Sequence, residues 1–289
     1  MIPATEELGA RMHKIAPNVY FENKYLGVNL GLVVIGKELL LVDSPLHTED
    51  VKEWFKVVSE RGRPKFLVLL DSHPDRVLGS RILTLPAIAQ DQTLQTIREW
   101  ADTFKGNAHP IGAEADQLKR ITGVNNAIPE ITFSERMVIH MGGKEIVFLH
   151  RPGPRPGSMW MVIPDLSVVF VGDTVTIDEP PYVGVAVLEP WLNSLDELRG
   201  SDMNSYTLIS SCGGRIDRKD INHTARFLRK VQSRVEKLED GKTRDEELER
   251  LAVELMGDFS IRSSKQDLIL KRLKIGLLDQ SLLRFPDGA

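Results

Sequence analysis

The rhythm of apolar and polar positions changes several times along the chain, and each change marks an element. Asn18 to Tyr25 mixes aromatic and polar residues loosely, as a half-buried strand does. Val28 to Ile35 is a mostly apolar run, Gly36-Lys37 makes a turn, and Glu38 to Val42 reads as the next strand. A helix follows, with Thr48 as its expected N-cap, Glu49 and Asp50 at the positive end of its dipole, and Val51, Trp54, Phe55 and Val58 on one face. Gly62 and Pro64 close it. Phe66 to Leu70 is a short all-apolar run, the pattern of a strand buried on both faces, and it delivers Asp71-Ser72-His73-Pro74-Asp75-Arg76 into the loop beyond its carboxyl end.

The pattern then recurs. Helices are expected over Thr93 to Phe104, Ala113 to Ile121 and Leu192 to Leu198. Strands are expected at Ile146 to Leu149, Met159 to Ile163, Ser167 to Val171 and Tyr206 to Ile209, with a Pro164-Asp165 turn between the second and third. Two β-rich halves, each followed by helices, predict an α/β sandwich of sheets with helices outside. From about Asp217 the composition becomes charged helix. Thr243 and Glu246 have capping-box spacing, Leu248, Leu251, Ala252 and Leu255 form one stripe, and Leu268, Ile269, Leu273, Leu277 and Leu278 belong to a further helix. This tail holds too little apolar material for a core of its own. The expected division is therefore a main domain over 1–220 and a helical extension over 221–289, packed on that domain or on a second subunit.

Composition narrows the function classes. The 289 residues allow one large domain or two small ones, with ample material for a deep core. A net charge of -4 gives no reason to expect nucleic acid or an anionic membrane surface as a global partner. The single cysteine, Cys212, excludes an internal disulfide and fits a reducing compartment. The first residues lack a basic region followed by an apolar run, and no apolar stretch approaches the roughly 20 residues that span a bilayer. The expected location is the cytoplasm.

Four segments carry the chemistry. Asp71-Ser72-His73-Pro74-Asp75-Arg76 resembles the H-x-H-x-D-H loop of the metallo-β-lactamase superfamily. Arg151-Pro152-Gly153-Pro154-Arg155-Pro156-Gly157-Ser158 resembles its P-G-H-T-P-G-S loop. Phe170-Val171-Gly172-Asp173-Thr174 matches its strand-end G-D-T, and Ser210-Ser211-Cys212-Gly213-Gly214 is similar to its late P-G-H-G loop. One such loop would be weak; four in order, each after a strand, are specific. The resemblance covers roughly Ala16 to Ile221. It implies a four-layer αβ/βα sandwich with a helical C-terminal extension, and a hydrolase-like site in which imidazoles and carboxylates hold one or two metal ions that activate water.

Carried over position by position, that site is depleted. The first histidine position is Asp71, the second is intact as His73, and the aspartate is intact as Asp75. The next histidine is Arg76, the middle-loop histidine is Pro154, the bridging aspartate is intact as Asp173, and the last histidine is Cys212. Two readings follow. In the first, Asp71, His73 and Asp173, helped by Cys212, hold a single zinc, iron or manganese ion, and His73 with Asp75 forms the catalytic pair, Asp75 orienting water. The substrate would be a small ester, thioester or phosphoester. In the second there is no metal. Arg76 supplies a fixed charge that neutralises Asp75 or Asp173, and Arg76 with Arg155 recognises an anionic ligand in a metal-free pseudoenzyme. A guanidinium would also repel a dication, by about 4 kcal/mol per unit charge at ~4 Å and an effective dielectric of ~20.

Each residue also has a plainer reading. Asp173 after a glycine can cap a turn. Cys212 can be a small buried hydrophobe, and no histidine near it in sequence serves as a base. His150 reads as a strand-end residue. Pro180-Pro181, Tyr182 and Trp191 line a cleft or form a rigid surface loop. Arg226, Arg229, Lys230, Arg234 and Lys237 read as a solvated helix face. A third functional reading is an assembly protein that dimerises through the Leu268 to Leu278 stripe.

Overall fold

The computed structural model describes residues 12–106, 111–238 and 244–284. The first sheet is built from β1 (His13–Ala16), β2 (Val19–Glu22), β3 (Leu30–Ile35), β4 (Glu38–Val42), β5 (Arg63–Val68), β6 (Ala87–Gln90) and, past the small hairpin of β7 (Thr103–Phe104) and β8 (Ile121–Thr122), β9 (Ile131–Phe133). β1 to β4 form an antiparallel meander, and β4, β5, β6 and β9 run parallel. The second sheet runs β10 (Arg136–Met141), β11 (Lys144–His150), β12 (Met159–Ile163), β13 (Val168–Thr176), β14 (Thr207–Cys212) and β15 (Gly214–Ile216), antiparallel except for the β13–β14 pair.

Period-two alternation distributes each strand between layers. In β4, Leu40 and Val42 join the core between the sheets, while Leu39 and Leu41 face outward against Trp54 and Val58 of α1 (Thr48–Ser59). In β12, Met159, Met161 and Ile163 point between the sheets, and Trp160 and Val162 point outward. After α2 (Pro74–Val77) and α3 (Asp91–Glu99), the helices α4 (Leu188–Leu198), α5 (Arg218–Glu236), α6 (Arg244–Met256) and α7 (Gln266–Arg284) cover the outer face of the second sheet. The result is helix, sheet, sheet, helix: the expected four-layer αβ/βα sandwich with a helical extension.

Several local expectations shift. Thr48 is the first residue of α1 and His47 takes the cap position, without a side-chain cap. The expected helix over Ala113 to Ile121 is a single 3-10 turn, Glu114–Gln117, followed by β8, because long-range hydrogen bonds described below organise that segment. The expected helix from Thr93 to Phe104 is α3, and it ends at Glu99 before β7. Thr243 lies outside the described residues. The Leu248–Leu255 stripe and Ile269, Leu273 and Leu277 are buried in this chain's own core, whereas Leu278 is 39% exposed. The stripe offered to a second subunit is thus mostly spent within the chain. Lys230 and Arg234 of α5 are not simply solvated, since Lys230 pairs with Glu254 and Asp258, and Arg234 with Glu254. Among the described residues no helix is long and apolar enough to cross a membrane.

Candidate functional site

The parallel pairs β4–β5 and β13–β14 end at the same edge of the sandwich, and the loops beyond such carboxyl ends are where open α/β sheets place ligands. Four predicted segments meet there. Gly172, with φ +60°, breaks the β13–β14 register between Phe170 and Gly172, and this positive φ, which an L side chain resists, sets the direction of Asp173. Pro74 opens α2 one residue after His73, and this short helix carries Asp75 and Arg76 inward; both are buried, at 3% and 1% exposure.

Arg76 is the centre of the site. Its Nη2 donates to Asp173 Oδ2, and its Nη1 lies 3.5 Å from Asp71 Oδ2. The other Asp173 oxygen accepts from the Cys212 thiol at 2.8 Å. Burial pushes Asp173 up, but the charge and hydrogen bond of Arg76 outweigh it and hold the carboxyl below its ordinary range. Cys212 is exposed as a residue, yet desolvation at the thiol and then the Asp173 charge push its pKa well above the usual value, so the thiol is a proton donor to Asp173. Arg76 itself is destabilised as a cation by burial and more than restored by Asp173 and Asp71.

His73 is held by its neighbour. The Asp75 amide donates to His73 Nδ1 at 3.2 Å, which leaves the ring's proton on Nε2. Burial first, then the charges of Arg76 and Arg155, push its pKa well below the ordinary value, so the ring is neutral despite a carboxylate oxygen 4.0 Å from Nδ1. Asp75 lines the same cleft as His73 and Arg76. Its Oδ1 accepts from the Ala115 amide at 2.7 Å and its Oδ2 from the Glu114 amide at 3.2 Å. Each oxygen carries an amide, so the carboxylate anchors the 3-10 turn. Burial, opposed by these amides, raises its pKa to about 6. Gly27 makes the fit close, since a Cβ there would lie 2.5 Å from Asp75 Oδ2. The Asp75→Ala variant is expected to lose hydrogen-exchange protection at the Glu114 and Ala115 amides and about 1–3 kcal/mol of stability. Unchanged exchange at those amides would show that the anchor lies elsewhere.

Asp43, unremarked in the sequence, closes the floor. It follows β4 as Asp71 follows β5, and that parallel was the signal available. Its φ is +59°, its Oδ1 accepts from the Leu70 amide and its Oδ2 from the Ser211 hydroxyl, both at 3.1 Å. Burial pushes its pKa up to about 7.

Above this floor opens a cleft of about 470 Å³. His73, Arg76, Asp173 and Cys212 lie at its base, and Arg155 lines it with only 7% of its surface exposed. Among the described residues no carboxylate lies within ion-pair distance of Arg155, and its Nη2 has no partner. Burial lowers its pKa, and the nearby acids Asp71 and Asp173 only partly oppose that. The far wall comes from the extension, through Leu268 and Arg272 of α7. That helix is stitched to the segment 179–186: Arg272 pairs with Glu179 and donates to the Pro180 carbonyl, Tyr182 bonds Asp279, and Gln280 Nε2 donates to the carbonyls of Val183 and Ala186. Pro180, Pro181, Tyr182 and Trp191 line the cleft, whereas His150 ends β11 with its Nε2 on the Pro156 carbonyl.

The donor chemistry can be tested against a metal ion. Asp71, His73, Asp173 and Cys212 are neighbours, but the Arg76 guanidinium fills the space between the two carboxylates, and Asp173 spends both oxygens on Arg76 and Cys212. Among the described residues no group of three or more His, Cys, Asp or Glu side chains is arranged to hold an ion. With a fixed cation inside the donor set, the residues do not fit a metal.

Comparison with known proteins agrees with this architecture. The family model described as the metallo-beta-lactamase superfamily matches residues 24–207. A metallo-beta-lactamase from Pontibacter korlensis superposes with a TM-score of 0.58 at 17% identity, covering 76% of this chain and 98% of its own. The DIM-1 metallo-beta-lactamase does so with 0.58 at 16% identity, covering 76% and 96%. At these identities the likeness is one of fold. No curated protein matches in sequence.

Proposed function

Since the chain belongs to the metallo-β-lactamase superfamily, with the hydrolase-like fold of that family, we propose that its cleft binds a small anionic molecule through protein groups alone, Arg155 being the primary anchor. The observation that carries this reading is the unpaired, buried guanidinium of Arg155 on the cleft wall. A buried charge without a partner is costly, and an incoming carboxylate or phosphate oxygen supplies the missing half of a charge-assisted, two-pronged pair. Neutral His73 adds an Nε2–H donor nearby. Arg76, already engaged by two carboxylates, contributes field more than direct contact. Such a site captures an anion and excludes water from it.

The other reading is hydrolysis of a small ester, thioester or phosphoester assisted by one zinc, iron or manganese ion on Asp71, His73, Asp173 and Cys212. What supports it is the convergence of those four side chains at one strand edge; it fits less well because Arg76 would have to vacate the centre. Dimerisation through α7 has less support still, since Ile269, Leu273 and Leu277 are already buried.

Calorimetric titration with inorganic phosphate and with short mono- and dicarboxylates tests the proposal. At least one anion is expected to bind, and Arg155→Met is expected to weaken it about 10–100-fold, as the loss of a charge-assisted pair of about 1.5–3 kcal/mol requires. Equal affinity in the variant would overturn the assignment of Arg155. A stoichiometric ion in protein purified without added metal would favour the hydrolase.

A further inference from the structure

Arg76 offers an observation independent of any ligand. Its side chain is 1% exposed and lies between Asp71, beyond the tip of β5 in the first sheet, and Asp173, on β13 in the second. It is the only cation within ion-pair distance of either carboxylate among the described residues, and its Nε and Nη1 have no hydrogen-bond partner. A guanidinium placed for hydrogen bonding would satisfy more of its five donors. This one satisfies few, and its position answers to charge: it joins two acids from two different sheets. The Asp71 Oδ2 atom that faces it across 3.5 Å is likewise without a hydrogen-bond partner.

We propose that Arg76 is an internal counter-ion standing where a divalent cation could bridge the two acids, that it bars such an ion from the native protein, and that trimming its side chain creates a divalent-metal site on Asp71 and Asp173, with His73 and Cys212 at its edge. The charge count favours this. Asp71, Asp173, Arg76 and Arg155 sum formally to zero, and a dication placed among them would raise the sum to +2 in a desolvated pocket. Without Arg76 the sum is −1, and a dication is attracted to the two acids. The donor types are at hand once the side chains draw together over the vacated space: two carboxylates, with a neutral imidazole nearby and a thiol on Asp173, a chemistry that suits zinc or manganese. The inference stands on these contacts and does not depend on anion binding by Arg155.

The test compares the native chain with Arg76→Ala, each melted with and without Zn²⁺ or Mn²⁺ and assayed for bound metal after dialysis. The native chain is expected to retain no stoichiometric ion and to melt at the same temperature with and without metal. The variant is expected to melt lower, to recover much of the loss when metal is added, and to retain about one ion per chain. Arg76→Ala combined with Asp173→Asn is expected to lose that rescue. A variant whose melting ignores both metals, or a native chain that keeps an ion through dialysis, overturns the proposal. If Arg76→Ala does not accumulate as folded protein, refolding it from urea with and without Zn²⁺ decides: metal-dependent recovery supports the proposal, and equal failure overturns it. Arg76→Lys, which keeps the charge, is expected to fold and to take up no metal.

Discussion

Replacing Asp173 with alanine is expected to destabilise the fold by about 3–5 kcal/mol, because it strands a buried guanidinium. Asp173 is the hydrogen-bonded partner of Arg76, and the remaining acid, Asp71, is 3.5 Å away. The Cys212 thiol loses its acceptor in the same step. For a chain of this size the loss corresponds to a fall of roughly 5–8 °C in Tm. Asp173→Asn preserves the shape and one acceptor, so it should lose less. A drop below about 1 kcal/mol for the alanine variant in urea unfolding would mean that the central pair contributes nothing to stability.

The second large effect is one of pH. Burial holds the Asp43 carboxyl up to about 7 in the folded chain, whereas an aspartate in the unfolded chain has its ordinary value of 3.8. Below about pH 4 both states are protonated and the group has no influence. Between the two values the folded state binds more protons, so stability falls as pH rises through this window and levels off above about 7. The full span corresponds to about 4 kcal/mol. Asp43→Asn keeps an acceptor for the Leu70 amide and offers Ser211 a donor in exchange for an acceptor. It should therefore be more stable than the native chain at about pH 8 and nearly equal at about pH 4. Asp75, with its value near 6, acts in the same direction and remains in both proteins, which is why the comparison is a difference between variants. Parallel pH profiles for the two proteins would show that Asp43 is ionised in the fold throughout.

Much of this architecture is legible from residue order because its strands are buried on two faces. The apolar run Met159 to Ile163 coincides with β12, since five apolar residues in a row leave little choice once both sheet faces are covered. The loop motifs likewise place Asp71, His73, Asp173 and Cys212 at one edge. What local pattern could not convey are partnerships across the chain. The segment after Gly112 looks helical, but Asp75 claims its amides from about forty residues away, and Asp116 holds the amides of Ile111, Gly112 and Ala113. The motif allows Arg76 to turn inward onto Asp75 or Asp173, but the residues around it do not choose, because the acid that receives it lies 97 residues further on. Asp43 escaped notice for a related reason: a single acid after a strand looks like a turn until Ser211, 168 residues later, is seen against it.

The attachment of α7 has a thermodynamic corollary. Residues 266–284 lie wholly beyond the stretch that matches the family, yet Leu268 and Arg272 face the same space as Arg155, and Gln280 grips the backbone that borders it. Any solute that touches this wall shares free energy with the docking of the helix. Linkage is reciprocal, so a bound solute must make the helix harder to peel away, and loosening the helix must weaken the solute by the same factor. For the anion proposed above, the Tyr182–Asp279 contact is therefore a second place to tune affinity, away from Arg76 at the base of the cleft and Arg155 on its wall.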